Sequence, residues 1–201
     1  MEVLIFVFLF SLTWVSAVPE CPKCGNMDVP YPLSTSDECG NPSYRIHCKN
    51  GILEFLSAEG IYYKILSINP NASRLVISSP LMQKDTCHSF DLSVGGLRID
   101  ENSPFNISSR NTVMLLNCSE RILLSPLNCS LNSPCRKFEN EIKGCRDTVC
   151  CSYLKVASKA SHRIRVRVGG CTAYTSVVDL KAGDSINAWQ YGVELQWISP
   201  K

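Results

Sequence analysis

Trp189-Gln190-Tyr191-Gly192-Val193-Glu194-Leu195-Gln196-Trp197 places a large apolar side chain at every second position, with polar or small residues between. Successive side chains of an extended chain point to opposite faces, so the stretch reads as a half-buried β-strand. The same period recurs upstream, where Arg163, Arg165 and Arg167 alternate with Ile164, Val166 and Val168. Towards the N-terminus the strand-like runs are 44–48, 52–56, 62–68 and 74–78. Lys49-Asn50-Gly51, Glu59-Gly60 and Asn69-Pro70-Asn71 separate them. Gly95-Gly96 precedes a further run, and 112–116 reads as a buried strand ending at Cys118. Only one segment carries helix signals. Ser133 can cap it, Pro134 takes its first position and Gly144 follows it, which predicts a helix over 134–143. Pro22, Gly25, Pro30, Pro32 and Gly40 make 22–40 a loop. The expected fold is mainly β and disulfide-rich: two small β-rich modules, with one short helix in the second.

The disulfides follow from composition and compartment. Among 201 residues there are 12 Cys, 20 Lys and Arg, 18 Asp and Glu, and 45% hydrophobic residues. A core is affordable at that length, and wholesale disorder is excluded. A receptor with its own kinase, or a large polysaccharide-cleaving solenoid, would need more chain. A net charge of +2 names no partner. The apolar run 3–12 followed by Val15-Ser16-Ala17 reads as a secretory signal peptide over 1–17, with Glu2 where a basic residue is usual. No later stretch approaches 18 consecutive apolar residues, so a secreted, extracellular chain without a transmembrane helix is expected.

Outside the cell an even cysteine count reads as bridges worth roughly 2–4 kcal/mol each. The pool is Cys21, Cys24, Cys39, Cys48, Cys87, Cys118, Cys129, Cys135, Cys145, Cys150, Cys151 and Cys171. Cys21-Pro22-Lys23-Cys24 has redox or zinc spacing, but Gly25-Asn26 and Val29-Pro30-Tyr31-Pro32 forbid the helix a redox pair wants. Zinc would want a second close pair, and Cys39 and Cys48 stand too far apart. No metal and no cofactor is expected. Cys150 and Cys151 should bond to different partners, because neighbours in an extended chain point apart. A cut after Cys118 leaves six cysteines on each side, which suggests a Cys87–Cys118 bridge and two self-contained modules, 18–118 and 119–201. Charge divides there too: 8 Lys and Arg against 10 Asp and Glu in the first, 12 against 7 in the second. Sequons at Asn71, Asn106, Asn117 and Asn128 predict N-glycosylation, with Asn117 and Asn128 each followed by a cysteine that competes for closure.

Catalytic signatures are missing: there is no GxSxG, HExxH, Walker A loop or GxGxxG. Glu139 and Glu141 lie two apart on the predicted helix and face different ways, so they read as solvated charge. The best chemical lead is cationic. Arg163, Arg165 and Arg167 share one strand face about 7 Å apart, with Lys159 nearby. Guanidinium forks suit carboxylates, so a uronic-acid polymer fits, while nucleic acid fits the charge but not the compartment. The bland reading, a solvated strand face, stays open.

Cys21-Pro22-Lys23-Cys24-Gly25-Asn26, Val29-Pro30-Tyr31-Pro32-Leu33, Cys39-Gly40-Asn41-Pro42 and Tyr44-Arg45-Ile46-His47-Cys48 resemble the galacturonan-binding domain of plant wall-associated receptor kinases. Tyr63-Lys64-Ile65-Leu66-Ser67-Ile68 resembles its next strand, and 111–118 its closing segment. Cys150-Cys151, Gly169-Gly170-Cys171-Thr172-Ala173-Tyr174 and 191–197 are similar to the companion cysteine-rich region of such ectodomains. The resemblance implies non-catalytic binding of pectin or oligogalacturonides in the apoplast. Membrane contact would come only through an associated receptor. Relatives commonly add a transmembrane helix and a cytoplasmic kinase, and neither is seen in this sequence, so it reads as a kinase-less relative or a truncated product. A second reading also stays open: a secreted ligand, co-receptor or inhibitor that binds a receptor ectodomain and no carbohydrate. The excess of acid in 18–118 sits badly with a polyanionic ligand.

Overall fold

The computed structural model describes residues 19–82, 86–119, 128–139, 143–145, 148, 150–154, 162–164, 170–181 and 183–200. Two antiparallel sheets dominate. The larger has the order β1-β2-β3-β4-β10-β5, from β1 (His47–Lys49), β2 (Ile52–Leu56), β3 (Tyr62–Asn69), β4 (Arg74–Ile77), β5 (Phe105–Ile107) and β10 (Val193–Trp197). The smaller has the order β7-β6-β8-β9, from β6 (Asn111–Leu116), β7 (Cys151–Leu154), β8 (Ala173–Val178) and β9 (Gln190–Tyr191).

Alternation decides which side of each strand is buried. Leu53, Phe55, Tyr63, Ile65, Leu75, Ile77, Leu195 and Trp197 point inward from the large sheet. Phe105 sits at their centre, edge-on to Tyr44, Phe55 and Trp197. Strands β6 and β8 are buried at every position, as 112–116 predicts. Val113, Leu115 and Tyr174 pack towards the large sheet, while Met114, Leu116 and Val177 pack with Phe138 and Trp189 on the other side. A strand covered on both faces has no wet side, so it shows a continuous apolar run. Phe138 belongs to α1 (Pro134–Glu139). That helix starts where predicted, but residues 140–142 lie outside the described residues and Lys143–Cys145 is a 3-10 turn. Ser133 does not cap it by its side chain, since its buried hydroxyl has no partner.

Several expectations change. The stretch 189–197 is not one strand. Trp189 ends the 3-10 turn Ile186–Ala188, and at Gly192 (φ 139°) the chain leaves the small sheet and joins the large one. A Cβ at Gly192 would stand 2.6 Å from Val76 Cγ1 and 2.7 Å from the Ile77 carbonyl, so only glycine allows the crossing. The run after Gly95-Gly96 forms only an isolated bridge, Arg98 with Arg163. Glu139 is buried, not solvated. Its Oε2 lies 2.7 Å from Arg136 Nη1, and its Oε1 accepts the Thr148 N–H at 2.6 Å. Glu141 falls outside the described residues.

All twelve cysteines are bridged: 21–39, 24–48, 87–145, 118–171, 129–151 and 135–150. Cys150 and Cys151 do take different partners. The Cys87–Cys118 pairing is wrong, because Cys118 ends β6 beside the start of β8 and meets Cys171 there. Two bridges therefore cross residue 118, and β10 lies between β4 and β5. The larger of two buried clusters draws side chains from both halves. Among the described residues no helix is long and apolar enough to cross a membrane.

Candidate functional site

Residues whose side chains point outward from β1, β2 and β3 form an open face. Ile52, Leu56, Tyr62 and Leu66 are 43%, 37%, 49% and 43% exposed, four large apolar side chains on one surface. The register fixes their neighbours: His47 lies across from Glu54 and Glu54 from Lys64, Lys49 pairs with Ile52, and Leu56 with Tyr62. The His47 and Tyr62 rings meet edge-on at 5.3 Å. Partial burial and then the charge of Arg45 push the His47 imidazole below its ordinary range, and Glu54 opposes them weakly. Lys49 and Lys64 are exposed and form no ion pair among the described residues. The face thus offers an aromatic ring, an apolar floor and two uncommitted ammonium groups.

A cleft of about 290 Å³ opens beside it, between the 24–27 turn and the start of β2, with Asn26, Ile52 and Lys64 in its wall. Its floor is fixed by a close backbone approach. Gly25 (φ 58°) lies so near Gly51 that a Cβ there would fall 2.3 Å from the Gly51 carbonyl oxygen, and Cys24–Cys48 ties the same two turns.

The arginines are committed elsewhere. Arg45 pairs with Asp37, Arg74 and Arg110 reach Glu194, Arg98 reaches Glu59 at 3.1 Å, and Arg136 reaches Glu139. Of the predicted cationic strand, Arg163 alone is described. It is exposed and bridges Arg98 backbone to backbone. Arg165, Arg167 and Lys159 lie outside the described residues. Arg98 in turn accepts the Ala58 N–H at 2.9 Å through its carbonyl, which links the Arg98–Arg163 bridge to the β2–β3 turn. The sequence singled out the arginine strand and missed this lysine face. Alternation within 52–56 and 62–68 carried the signal, since Ile52, Leu56, Tyr62 and Leu66 break the rule that outward positions are polar.

The most perturbed acid is elsewhere and sealed. Asp91 Oδ2 accepts the hydroxyls of Tyr63 at 2.8 Å and Tyr174 at 2.7 Å, and its Oδ1 is buried without a partner. Burial raises the Asp91 carboxyl, and the two hydroxyls partly offset that. Burial and the nearby carboxylate hold both phenols above their ordinary range. Asp91 is 1% exposed and Tyr174 fully buried, so this trio joins β3 to β8 and has no access to a substrate. Among the described residues no three His, Cys, Asp or Glu side chains converge as metal ligands would.

Asn71 is exposed on a turn, Asn106 half-buried in β5, Asn117 half-buried after β6, and Asn128 exposed.

Residues 20–79 match the model of the wall-associated receptor kinase galacturonan-binding family. The chain is 41% identical over 191 residues to wall-associated receptor kinase-like 20 of Arabidopsis thaliana, covering 91% of this chain and 29% of that protein. It is 39% identical over 204 residues to wall-associated receptor kinase-like 15 of the same plant, covering 96% and 32%. The chain therefore spans about a third of the length of these relatives. No solved structure matches it. The open lysine face and the turn that shapes its cleft both fall inside the segment that matches the wall-associated receptor kinase galacturonan-binding model.

Proposed function

We propose that this chain binds an acidic cell-wall polysaccharide of the galacturonan type outside the cell, without turning it over. One observation carries the reading: Lys64 stands two residues from exposed Tyr62 and Lys49 lies on the same face across from Ile52, neither lysine in an ion pair among the described residues, on the sheet of the segment that matches the galacturonan-binding model. A pyranose ring presents an apolar face to an aromatic side chain, and its carboxylate attracts an ammonium group. Of the acids in 18–118, Asp28, Asp37 and Glu59 are each paired with a cation, while Glu54 lies on the face itself across from Lys64.

Retention on immobilised polygalacturonate at low salt tests this. The triple variant Lys49→Gln, Lys64→Gln, Tyr62→Ala should elute with the void volume while its unfolding midpoint stays close to that of the parent. Equal retention would overturn the assignment to this face. Loss only on Arg163→Gln, Arg165→Gln, Arg167→Gln would move the site to the arginine strand. If the parent itself binds no uronic-acid polymer yet captures a receptor ectodomain, the chain is a protein-binding module.

A further inference from the structure

The four sequons differ as text only in the residue between Asn and Ser, and they are unequal in the fold as well. Asn71 lies in the 3-10 turn Pro70–Ala72, which Asn69 caps by accepting the Ala72 N–H. Residues 69–72 are all exposed, and the Asn71 carboxamide has no partner among the described residues. Asn117 is the opposite case. It takes a left-handed conformation (φ 49°) as the chain leaves β6. Its Nδ2, the atom that would carry a sugar, donates to Thr172 Oγ1 at 2.8 Å, and that hydroxyl donates to the Cys87 carbonyl. The next residue, Cys118, is bonded to Cys171. Gly170 packs so closely that a Cβ there would stand 3.0 Å from Ser119 Oγ, the hydroxyl of the same sequon. The strand end 170–172 therefore lies directly over 117–119.

We propose that Asn71 is a glycosylated site of the mature protein and that Asn117, despite its sequon, is left bare because its carboxamide nitrogen is enclosed by the Cys118–Cys171 closure. In the transfer, the carboxamide nitrogen attacks the anomeric carbon of a lipid-pyrophosphate-linked oligosaccharide. The N–C bond forms and the C–O bond to pyrophosphate breaks. The lipid pyrophosphate leaves with the electron pair, and the nitrogen loses one proton to the transferase. Transfer precedes folding, so the two outcomes compete at Asn117. A chain that receives a sugar there has a bulky group where Thr172 must dock, and the 118–171 bridge cannot form over it. The folded population is the unmodified one. At Asn71 nothing competes, because the turn presents its carboxamide to solvent. A glycan there projects from the end of β3 opposite Tyr62 and leaves the open face uncovered.

The proposal rests on the extracellular part of the functional reading and not on its ligand. The full chain would be secreted from plant cells, the fully oxidised fraction isolated, and its glycans removed by peptide-N-glycanase in heavy-oxygen water. That treatment converts each modified Asn into labelled Asp. Peptide mapping should show label at Asn71 and none at Asn117, and Asn71→Gln should lower the intact mass by one glycan with all six bridges retained. Label at Asn117 in the oxidised fraction, or an unlabelled Asn71, would overturn it. A chain kept inside the cell with no label at any sequon would overturn the extracellular reading as well.

Discussion

The two halves of the large sheet treat their outward positions in opposite ways. On β1–β3 those positions are open to solvent: Lys49, Ile52, Leu56, Tyr62, Lys64 and Leu66 are exposed, and His47 and Glu54 are half-buried. On β4 and β10 the corresponding pair is Val76 opposite Glu194, and both are buried. Glu194 is held by Arg110 Nη1 at 3.0 Å, while its backbone N–H and carbonyl bond the Asn111 carboxamide at 2.8 Å each. Arg110 also pairs with Asp179, which follows β8. A polar residue facing solvent in an alternating strand is free to meet a ligand. The same residue covered by a second layer must be paired, and it then fixes how the layers meet. One sheet thus carries an open half and a joining half.

The largest break in that contrast is Glu194→Ala. It removes a buried carboxylate from Arg110 and Arg74, which are themselves partly exposed, and should cost about 1–2 kcal/mol in urea unfolding. Lys64→Ala, on the open half, should stay within about 0.5 kcal/mol. Equal losses would erase the distinction.

The Tyr63–Asp91–Tyr174 trio sharpens it through pH. Burial raises the native carboxyl above its unfolded value, so Asp91 contributes stability that is fully present below the unfolded carboxylate pKa. That contribution is lost as pH rises through the raised native value. Asp91→Asn should therefore gain on the parent in melting temperature between pH 4 and pH 7. A difference that is constant over that range would show that Asp91 does not titrate on its own there.

Smaller effects belong to the open face and should appear in binding alone. Tyr62→Ala removes apolar contact worth roughly 1–2 kcal/mol, a five- to thirty-fold loss of affinity for polygalacturonate fragments by titration calorimetry. Lys49→Gln and Lys64→Gln should each cost about 0.2–1 kcal/mol at low salt and almost nothing at high salt. His47→Gln should matter least. With its pKa lowered, His47 adds a positive charge only as pH falls below the ordinary imidazole range, so parent and variant should separate only at acid pH.

Much of this was legible in the chain. Short β-type runs bounded by turn residues located β2, β3 and β4 nearly to the residue, and the continuous apolar run of 112–116 located β6. The need for separate partners at Cys150 and Cys151 was equally local, a matter of where neighbouring side chains point. The resemblance to the galacturonan-binding model was carried by the spaced cysteines and turn residues of 20–79. Three decisions were not local. Cys118 could not be paired from the text, since its partner is whichever thiol the β6–β8 register delivers. The stretch 189–197 has the same alternation in either sheet, and only the closeness of Val76 to Gly192 moves β10 to the large one. Lysines on β1 and β3 and arginines beyond 163 are alike cations in sequence. Whether a charge is spent on a neighbour or left for a ligand depends on what the fold packs within about 4 Å of it, and that is a property of the tertiary structure alone.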